Sequence, residues 1–180
     1  MKRRLLMAAA GGALLAAPAG CAGPVPADYA AEQPVLDLKT YFNGELTAHG
    51  IFTDRSGQVV RRFTVAMTGT WNGNQGTLDE RFTYSDGKTE RRVWRLTDLG
   101  NGRYEGRADD VVGVAQGVAA GNALNWRYTL ALPVDGRVWE VQFDDWMYLM
   151  DQQVMLNKAA MSKFGLHLGE VTLSFYRKSP

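Results

Sequence analysis

The sequence is poor in the residues that build disulfides and metal sites. Its 180 residues include one cysteine and two histidines. One thiol excludes an intramolecular disulfide framework, and a zinc site of the usual cysteine and histidine type needs more ligands than these. The phosphate-binding loop, the dinucleotide fingerprint and the serine-hydrolase motif are also missing from the chain. We therefore predict no metal, no cofactor and no catalytic residues, and we expect that the protein is not an enzyme.

The chain also lacks a strong charge of either sign. It has 20 basic and 19 acidic residues. Lys2, Arg3 and Arg4 supply three of the basic ones, so the rest of the chain carries 17 basic against 19 acidic side chains, a net charge of −2. A near-neutral domain without a basic cluster has no electrostatic attraction for a phosphate backbone. We therefore exclude nucleic acid as a partner.

The single cysteine, Cys21, follows a short apolar segment with a basic start. Residues 2–4 are basic, residues 5–17 are apolar and uncharged, and proline, alanine and glycine lead to the cysteine. A membrane-spanning helix needs about 20 apolar residues, so this segment is too short to be one. The pattern predicts a bacterial lipoprotein signal over residues 1–20 and a lipid on the Cys21 thiol.

The residues on either side of the cysteine indicate how the signal is cleaved and in which membrane the protein is placed. The triplet Ala17-Pro18-Ala19 also fits cleavage of an ordinary secretory signal, which is the alternative interpretation. Ala22 follows the cysteine, and the absence of aspartate at this position favours onward transport from the inner membrane. We therefore expect a membrane partner through the N-terminal lipid, in the bacterial cell envelope, at the periplasmic face of the outer membrane.

Beyond the signal, the chain divides into a linker and one β-rich domain. Residues 21–34 are rich in alanine, proline and glycine, which is typical of a flexible tether. In residues 35–180, apolar and polar residues alternate over segments such as 59–71 and 122–132. Turn signals such as Ser85-Asp86-Gly87 separate these segments, which indicates hairpins.

The number and order of these segments predict an all-β fold. We expect a single antiparallel β-barrel of about eight to ten strands, because closure removes the exposed edges of a sheet. Residues 152–164 are expected to add a short helix or a lid near the C-terminus, with Met155, Ala159 and Met161 as its apolar side.

In the predicted strands, a few polar residues lie on the same face as the apolar residues. Glu80 has the parity of Leu78, and Arg92 has the parity of Trp94, so both are expected to be inward neighbours across one hairpin. They form either an ion pair that sets the strand register or part of the polar lining of a cavity. Catalysis by a carboxylate pair such as Glu80 and Asp110 is the least favoured interpretation, because no nucleophile accompanies them.

If the barrel is hollow, one of its ends is expected to bind an amphipathic ligand. Inward tryptophans would contact the apolar part, polar residues would lie near the polar end, and the small residues of 113–121 would leave room for entry. The string Asp144-Asp145-Trp146-Met147-Tyr148 is either a ligand rim or a strand end whose tryptophan packs over the barrel mouth. The candidate ligand-binding residues are Glu80, Arg92, Trp94, Asp110, Asn122, Trp126, Asp145 and Trp146.

Several motifs together resemble the DUF3833 family of bacterial lipoproteins. The resemblance extends over most of the chain beyond the signal and implies a lipocalin-like barrel in a lipid-anchored envelope protein, with no established function and no assigned catalytic residues. Matching segments include Phe42-Asn43-Gly44, Gly69-Thr70-Trp71, Leu78-Asp79-Glu80-Arg81-Phe82, Tyr84-Ser85-Asp86-Gly87, Ala108-Asp109-Asp110-Val111-Val112-Gly113 and Asp144-Asp145-Trp146-Met147-Tyr148.

Two functions of different classes remain open at this point. The first is a carrier that holds a fatty-acyl-like or other amphipathic molecule inside the barrel. The second is a structural or interaction lipoprotein whose barrel is filled by its own aromatic side chains, since the chain has 7 phenylalanines, 7 tyrosines and 5 tryptophans. An open apolar cavity favours the first function, and a packed core favours the second.

Overall fold

A computed structural model describes residues 23–134 and 136–178, which form a closed barrel of antiparallel strands. Each strand pairs with the next one in the chain, and the last pairs with the first, so the expected all-β antiparallel barrel is confirmed. The predicted signal and Cys21 lie outside the described residues. The strands are β1 (Gly44–Asp54), β2 (Val59–Asn72), β3 (Gln75–Tyr84), β4 (Thr89–Gly100), β5 (Arg103–Arg107), β6 (Val111–Ala120), β7 (Ala123–Val134), β8 (Arg137–Leu149), β9 (Val154–Lys163) and β10 (Leu166–Arg177).

The strands form where the side chains alternate in polarity. In β2, Val65 and Met67 are buried, whereas Thr64 and Thr68 on the opposite face are exposed. The turn after β3 contains Gly87 with a φ of 81°, a left-handed conformation that glycine adopts without a steric penalty. Local patterning and glycine turns therefore account for the succession of hairpins, and closure of β10 onto β1 leaves no free edge.

The expectation of a short helix or lid in residues 152–164 is wrong. Most of these residues form β9, in which Met155, Asn157, Ala159 and Met161 are all buried. Met155 and Ala159 are four positions apart, a spacing that fits one side of a helix as well as one face of a strand, whereas the two positions between Ala159 and Met161 fit only a strand. The polar Asn157 between them concealed the strand period, because a buried amide was not expected there.

One end of the barrel is closed by a short helix that precedes β1. Helix α1 (Leu38–Tyr41) begins after Asp37, whose Oδ1 accepts a hydrogen bond of 2.7 Å from a backbone N–H in the first turn. Leu38 and Phe42 are buried and face the barrel interior. The Phe42 carbonyl oxygen packs against Gly69 so closely that a Cβ atom there would lie 1.8 Å from it. No helix among the described residues has the length and apolar character needed to cross a bilayer.

The segment that precedes α1 packs against the outer wall of the barrel. It contains a 3-10 turn at Pro26–Tyr29, and the Tyr29 hydroxyl lies 3.3 Å from the Tyr148 hydroxyl. The Tyr29 ring also lies 5.8 Å from the ring of Trp146, measured between centroids. Part of the predicted tether, residues 21–34, therefore lies on β8, while the division between tether and barrel at residue 35 stays a prediction.

Candidate functional site

The barrel contains a cavity of about 770 Å³. It begins beside Leu38 and Phe42 at the closed end and extends to Val134 and Trp139 at the opposite end. Leu38 is 2% exposed, whereas Val134 and Trp139 are 46% and 41% exposed, so the mouth of the cavity lies at the end opposite α1. The volume falls within the roughly 300–1,000 Å³ that is usual for small-molecule sites.

The walls of the cavity are mostly apolar, because each strand directs alternate hydrophobic side chains to the inside. This is the parity that the sequence predicts for residues 122–132 and for Trp94 and Trp139. Apolar and aromatic residues from β7 and β8 that line the cavity are Leu124, Trp126, Tyr128, Leu130, Leu132, Trp139, Val141, Phe143 and Met147.

Four of the lining aromatic side chains contact one another. The Trp94 ring lies edge-on to Trp126 and to Tyr128, with centroids 5.7 Å and 5.5 Å apart. Tyr128 in turn stacks on Phe143 at 4.8 Å. Such pairs contribute about 0.5–1.5 kcal/mol each beyond their buried area, so this part of the wall is well ordered.

Trp126 lies against two glycines, Gly106 of β5 and Gly117 of β6. A Cβ atom at Gly106 would lie 2.5 Å from the Trp126 ring, and one at Gly117 would lie 2.4 Å from it. The small residues of 113–121 were expected to leave room for a ligand to enter. The room beside Gly117 is instead taken by the Trp126 ring, so the glycines shape the wall and the entrance lies at the barrel mouth.

A polar cluster interrupts the apolar wall around Arg92. Glu80 and Arg92 stand directly opposite each other in β3 and β4, and both line the cavity, which confirms that they are inward neighbours. Their closest N–O distance is 4.0 Å, however, whereas Arg92 Nη2 lies 2.7 Å from Asp110 Oδ2. Arg92 Nε also donates to both Asp110 oxygens, at 2.9 Å and 3.1 Å. Asp110 is therefore the principal partner of Arg92, and removal of Glu80 does not leave the guanidinium without a carboxylate.

Two buried carboxyls in the cavity are difficult to ionise. Burial raises the pKa of Glu80 from 4.5 to about 7, although the Arg92 charge and a hydrogen bond from Trp94 act in the opposite direction. Burial likewise raises the pKa of Asp145 from 3.8 to about 7, opposed by a hydrogen bond from Asn157. Burial, reinforced by the Asp145 charge, also raises the pKa of the Tyr128 hydroxyl well above its usual value.

Asn157 is a site residue that the sequence analysis missed. It is 3% exposed, lines the cavity, and donates from Nδ2 to Asp145 Oδ1 and, at 3.2 Å, to the carbonyl oxygen of Trp146. Its Oδ1 has no hydrogen-bond partner among the described residues. The signal that would have revealed it is the period-two spacing with Met155 and Ala159, which places an amide on the inner face of β9.

The structure brings together only part of the predicted binding set. Glu80, Arg92, Trp94, Trp126 and Asp145 line the cavity. The remaining three, Asp110, Asn122 and Trp146, are not among the lining residues.

These three residues differ in where they lie. Asp110 reaches Arg92 from the turn that precedes β6. Asn122 lies in the turn after β6, near the closed end, and its Nδ2 donates to the Leu149 carbonyl oxygen at 3.2 Å. Trp146 lies on the outer face of β8 and stacks with Tyr148, so it neither lines the cavity nor packs over its mouth. The string at 144–148 does lie at the C-terminal end of β8, and its inward residues Asp145 and Met147 line the cavity.

Within residues 23–134 and 136–178, no group of three or more acidic, histidine or cysteine side chains is arranged to hold a metal ion. A comparison with curated proteins found no significant match.

Comparison with solved structures and families identifies the fold and the family. The barrel is similar to the S-type phycobiliprotein lyase CPES from Guillardia theta, with a TM-score of 0.58 and 5% identity over 77% of this chain and 89% of that one. It is also similar to a DUF3598-family protein of unknown function from Nostoc punctiforme, with a TM-score of 0.51 and 11% identity over 82% of this chain and 51% of that one. At these identities the likeness concerns the lipocalin-like fold alone. A sequence profile described as "Protein of unknown function (DUF3833)" matches residues 15–177, nearly the whole chain, and the protein therefore belongs to the DUF3833 family.

Proposed function

We propose that this protein carries a small amphipathic molecule inside its barrel, while a lipid on Cys21 holds it at the periplasmic face of the bacterial outer membrane. The observation that carries the binding part is the cavity of about 770 Å³, whose apolar walls surround a few polar side chains. Sites of this kind bury most of the apolar surface of a ligand and orient it through few polar groups. The basic and apolar pattern that precedes Cys21 supports the anchoring part.

The apolar walls supply the binding free energy. Transfer of an alkyl chain from water into an apolar site contributes about 0.8 kcal/mol per methylene, so ten methylenes contribute about 8 kcal/mol. Association itself costs several kcal/mol in lost translation and rotation, roughly 4–15 kcal/mol by different treatments. A chain of about ten carbons or more is therefore needed before burial alone gives useful affinity.

The competing function, a structural or interaction lipoprotein, requires a barrel filled by its own side chains. The inward aromatic residues do not fill this one. Trp94, Trp126, Tyr128 and Phe143 pack against one another in one part of the wall, and the cavity remains beside them. The open interior favours the carrier.

Tryptophan fluorescence tests binding directly, because Trp94 and Trp126 line the cavity. The protein for this test is residues 21–180 with Cys21→Ser, which retains every strand of the barrel. Titration with dodecanol, a lysophospholipid and an isoprenoid alcohol should give a saturable change for at least one class, with a one-to-one complex in native mass spectrometry. A flat response to all three and no added mass would contradict the proposal.

A matched pair of variants locates the ligand inside the barrel. Ala159 lines the cavity, whereas Ala160, the next residue of β9, does not. Ala159→Phe should fill part of the cavity and weaken binding at least tenfold, and Ala160→Phe should leave binding unchanged. Equal effects of the two variants, with both proteins folded, would place the ligand outside the cavity.

A further inference from the structure

The interior of the cavity holds more acidic than basic groups. Among the described residues that line it, Arg61 and Arg92 are the basic ones, and Arg61 lies near the mouth, 3.0 Å from Asp86 of the β3–β4 turn. Only Arg92 is placed deep in the wall, with a side chain that is 15% exposed. A polar group placed deep in the cavity therefore meets the guanidinium of Arg92 and not that of Arg61.

That guanidinium is already occupied by the protein. Arg92 binds Asp110 at 2.7 Å through Nη2 and through Nε at 2.9 Å, and it has Glu80 at 4.0 Å and Glu90 at 3.9 Å. The positive charge of Arg92 is therefore compensated by Asp110, and two further acidic side chains lie about 4 Å away, so the cluster as a whole holds more acidic than basic groups. The usual argument for an anionic ligand, a buried arginine in a barrel, does not apply here.

Other acceptors in the cavity lack a cation. Asp145 is 7% exposed and is bonded by the neutral amide of Asn157. The Oδ1 of Asn157, itself 97% buried, has no partner among residues 23–134 and 136–178. Glu80 shares Arg92 with Asp110 and Glu90, so its carboxyl is only partly compensated. Buried acceptors of this kind are stabilised by a donor or a positive charge brought by a ligand.

We propose that the polar end of the bound molecule is a cationic amine that lies among Glu80, Asp145 and Asn157, and that amphiphiles with a carboxylate are disfavoured. This inference rests on the proposed carrier function and names the ligand class for the same cavity. An ammonium group donates three hydrogen bonds and supplies the missing positive charge. Above about pH 7, where Glu80 and Asp145 are ionised, a carboxylate in the same place would lie beside groups of like charge.

The test compares three probes with the same twelve-carbon chain: dodecylamine, dodecanol and dodecanoate. Affinities are measured at pH 8, where Glu80 and Asp145 are ionised, by tryptophan fluorescence on residues 21–180 with Cys21→Ser, below the micelle concentration of each probe. Dodecylamine should bind at least tenfold more tightly than dodecanoate, with dodecanol between them. Equal affinities, or tighter binding of dodecanoate, would overturn the amine assignment while leaving the carrier function intact. No binding of any probe would instead remove the carrier function.

Variants show whether the cluster causes the preference. Asp145→Asn and Glu80→Gln should each reduce the ratio of amine to carboxylate affinity at least threefold. Asp144→Asn, which changes the neighbouring outward carboxylate that binds Arg127, should leave this ratio unchanged. Asp110→Asn releases Arg92 and should raise the affinity for dodecanoate. A ratio that is the same in Asp145→Asn, Glu80→Gln and the unsubstituted protein would contradict a role for the cluster.

Discussion

The two buried carboxyls predict an unusual dependence of stability on pH. Glu80 and Asp145 each have a pKa raised to about 7 in the folded protein, chiefly by burial, from 4.5 and 3.8. Below about pH 3 both groups are protonated in the folded and unfolded chains. As the pH rises, the unfolded chain releases these protons first, so it binds fewer protons than the folded chain and stability falls. The loss should be complete once the pH exceeds about 7.

The size of the stability loss follows from the width of the pH interval between the unfolded-state and folded-state pKa values. One pKa unit corresponds to about 1.4 kcal/mol, so the two pH units between 5 and 7 remove about 3 kcal/mol of unfolding free energy per group. For a domain of this size, 1 kcal/mol changes Tm by about 2–4 °C. Each carboxyl should therefore lower Tm by roughly 6–12 °C between pH 5 and pH 8.

Thermal denaturation followed by circular dichroism at pH 5, 6, 7 and 8 measures the effect. Glu80→Gln and Asp145→Asn should each flatten the decline in Tm and raise Tm at pH 8. The matched controls Asp79→Asn and Asp144→Asn change the adjacent outward carboxylates, whose side chains are 23% and 46% exposed, and should retain the decline. The two histidines are present in every variant, so their contribution cancels in the comparison. A Tm that is constant or rises from pH 5 to pH 8 in the unsubstituted protein would refute the reasoning.

Three further predictions concern other parts of the chain. Gly117→Ala places a Cβ atom 2.4 Å from the Trp126 ring, so it should cost about 1–3 kcal/mol and change the near-ultraviolet circular dichroism; an unchanged Tm and spectrum would contradict the close packing. Phe164 is 88% exposed and has a φ of 51°, so Phe164→Asn should stabilise the protein by about 0.5–1 kcal/mol in thermal denaturation, because asparagine tolerates this conformation; a lower Tm would count against it. Cys21→Ser should move the protein from the membrane to the soluble fraction, and mass spectrometry of the membrane-bound form should find diacylglycerol on Cys21, whereas an unmodified thiol in that form would disprove the anchor.

The polar cluster shows which parts of the candidate site can be predicted from the sequence and which cannot. Parity alone places Glu80 and Arg92 on the inner face and opposite each other, and the structure confirms both points. Parity does not reveal that Asp110 is the closer partner of Arg92 at 2.7 Å, because Asp110 lies in a turn and its position depends on how β5 and β6 are joined. Asn157 was missed for another reason: residues 152–164 were expected to form a helix or lid, so the period-two spacing that places Asn157 on the inner face of a strand was not applied.

Trp146 was expected to contact a ligand, and here an unusual local string outweighed the strand pattern. Strand alternation already assigns it to the face opposite Asp145, yet an unusual aromatic string favoured a role at the mouth. In the structure its ring lies 5.8 Å from Tyr29, which comes from the segment before the barrel. This contact joins residues that are more than a hundred positions apart, and no local pattern of polarity encodes it.

The amino-acid sequence by itself determined the β-class, the antiparallel hairpins and the inward parity of Trp94, Trp126 and Trp139, because these depend on alternation and turn residues within one or two strands. Only the tertiary structure decided that the barrel is hollow, that α1 closes one end and that Trp126 lies against Gly106 and Gly117. Those features depend on the summed volumes of side chains from many strands and on the register that closes β10 onto β1. A cavity is the space that packing leaves, so it becomes visible only when every wall is in place.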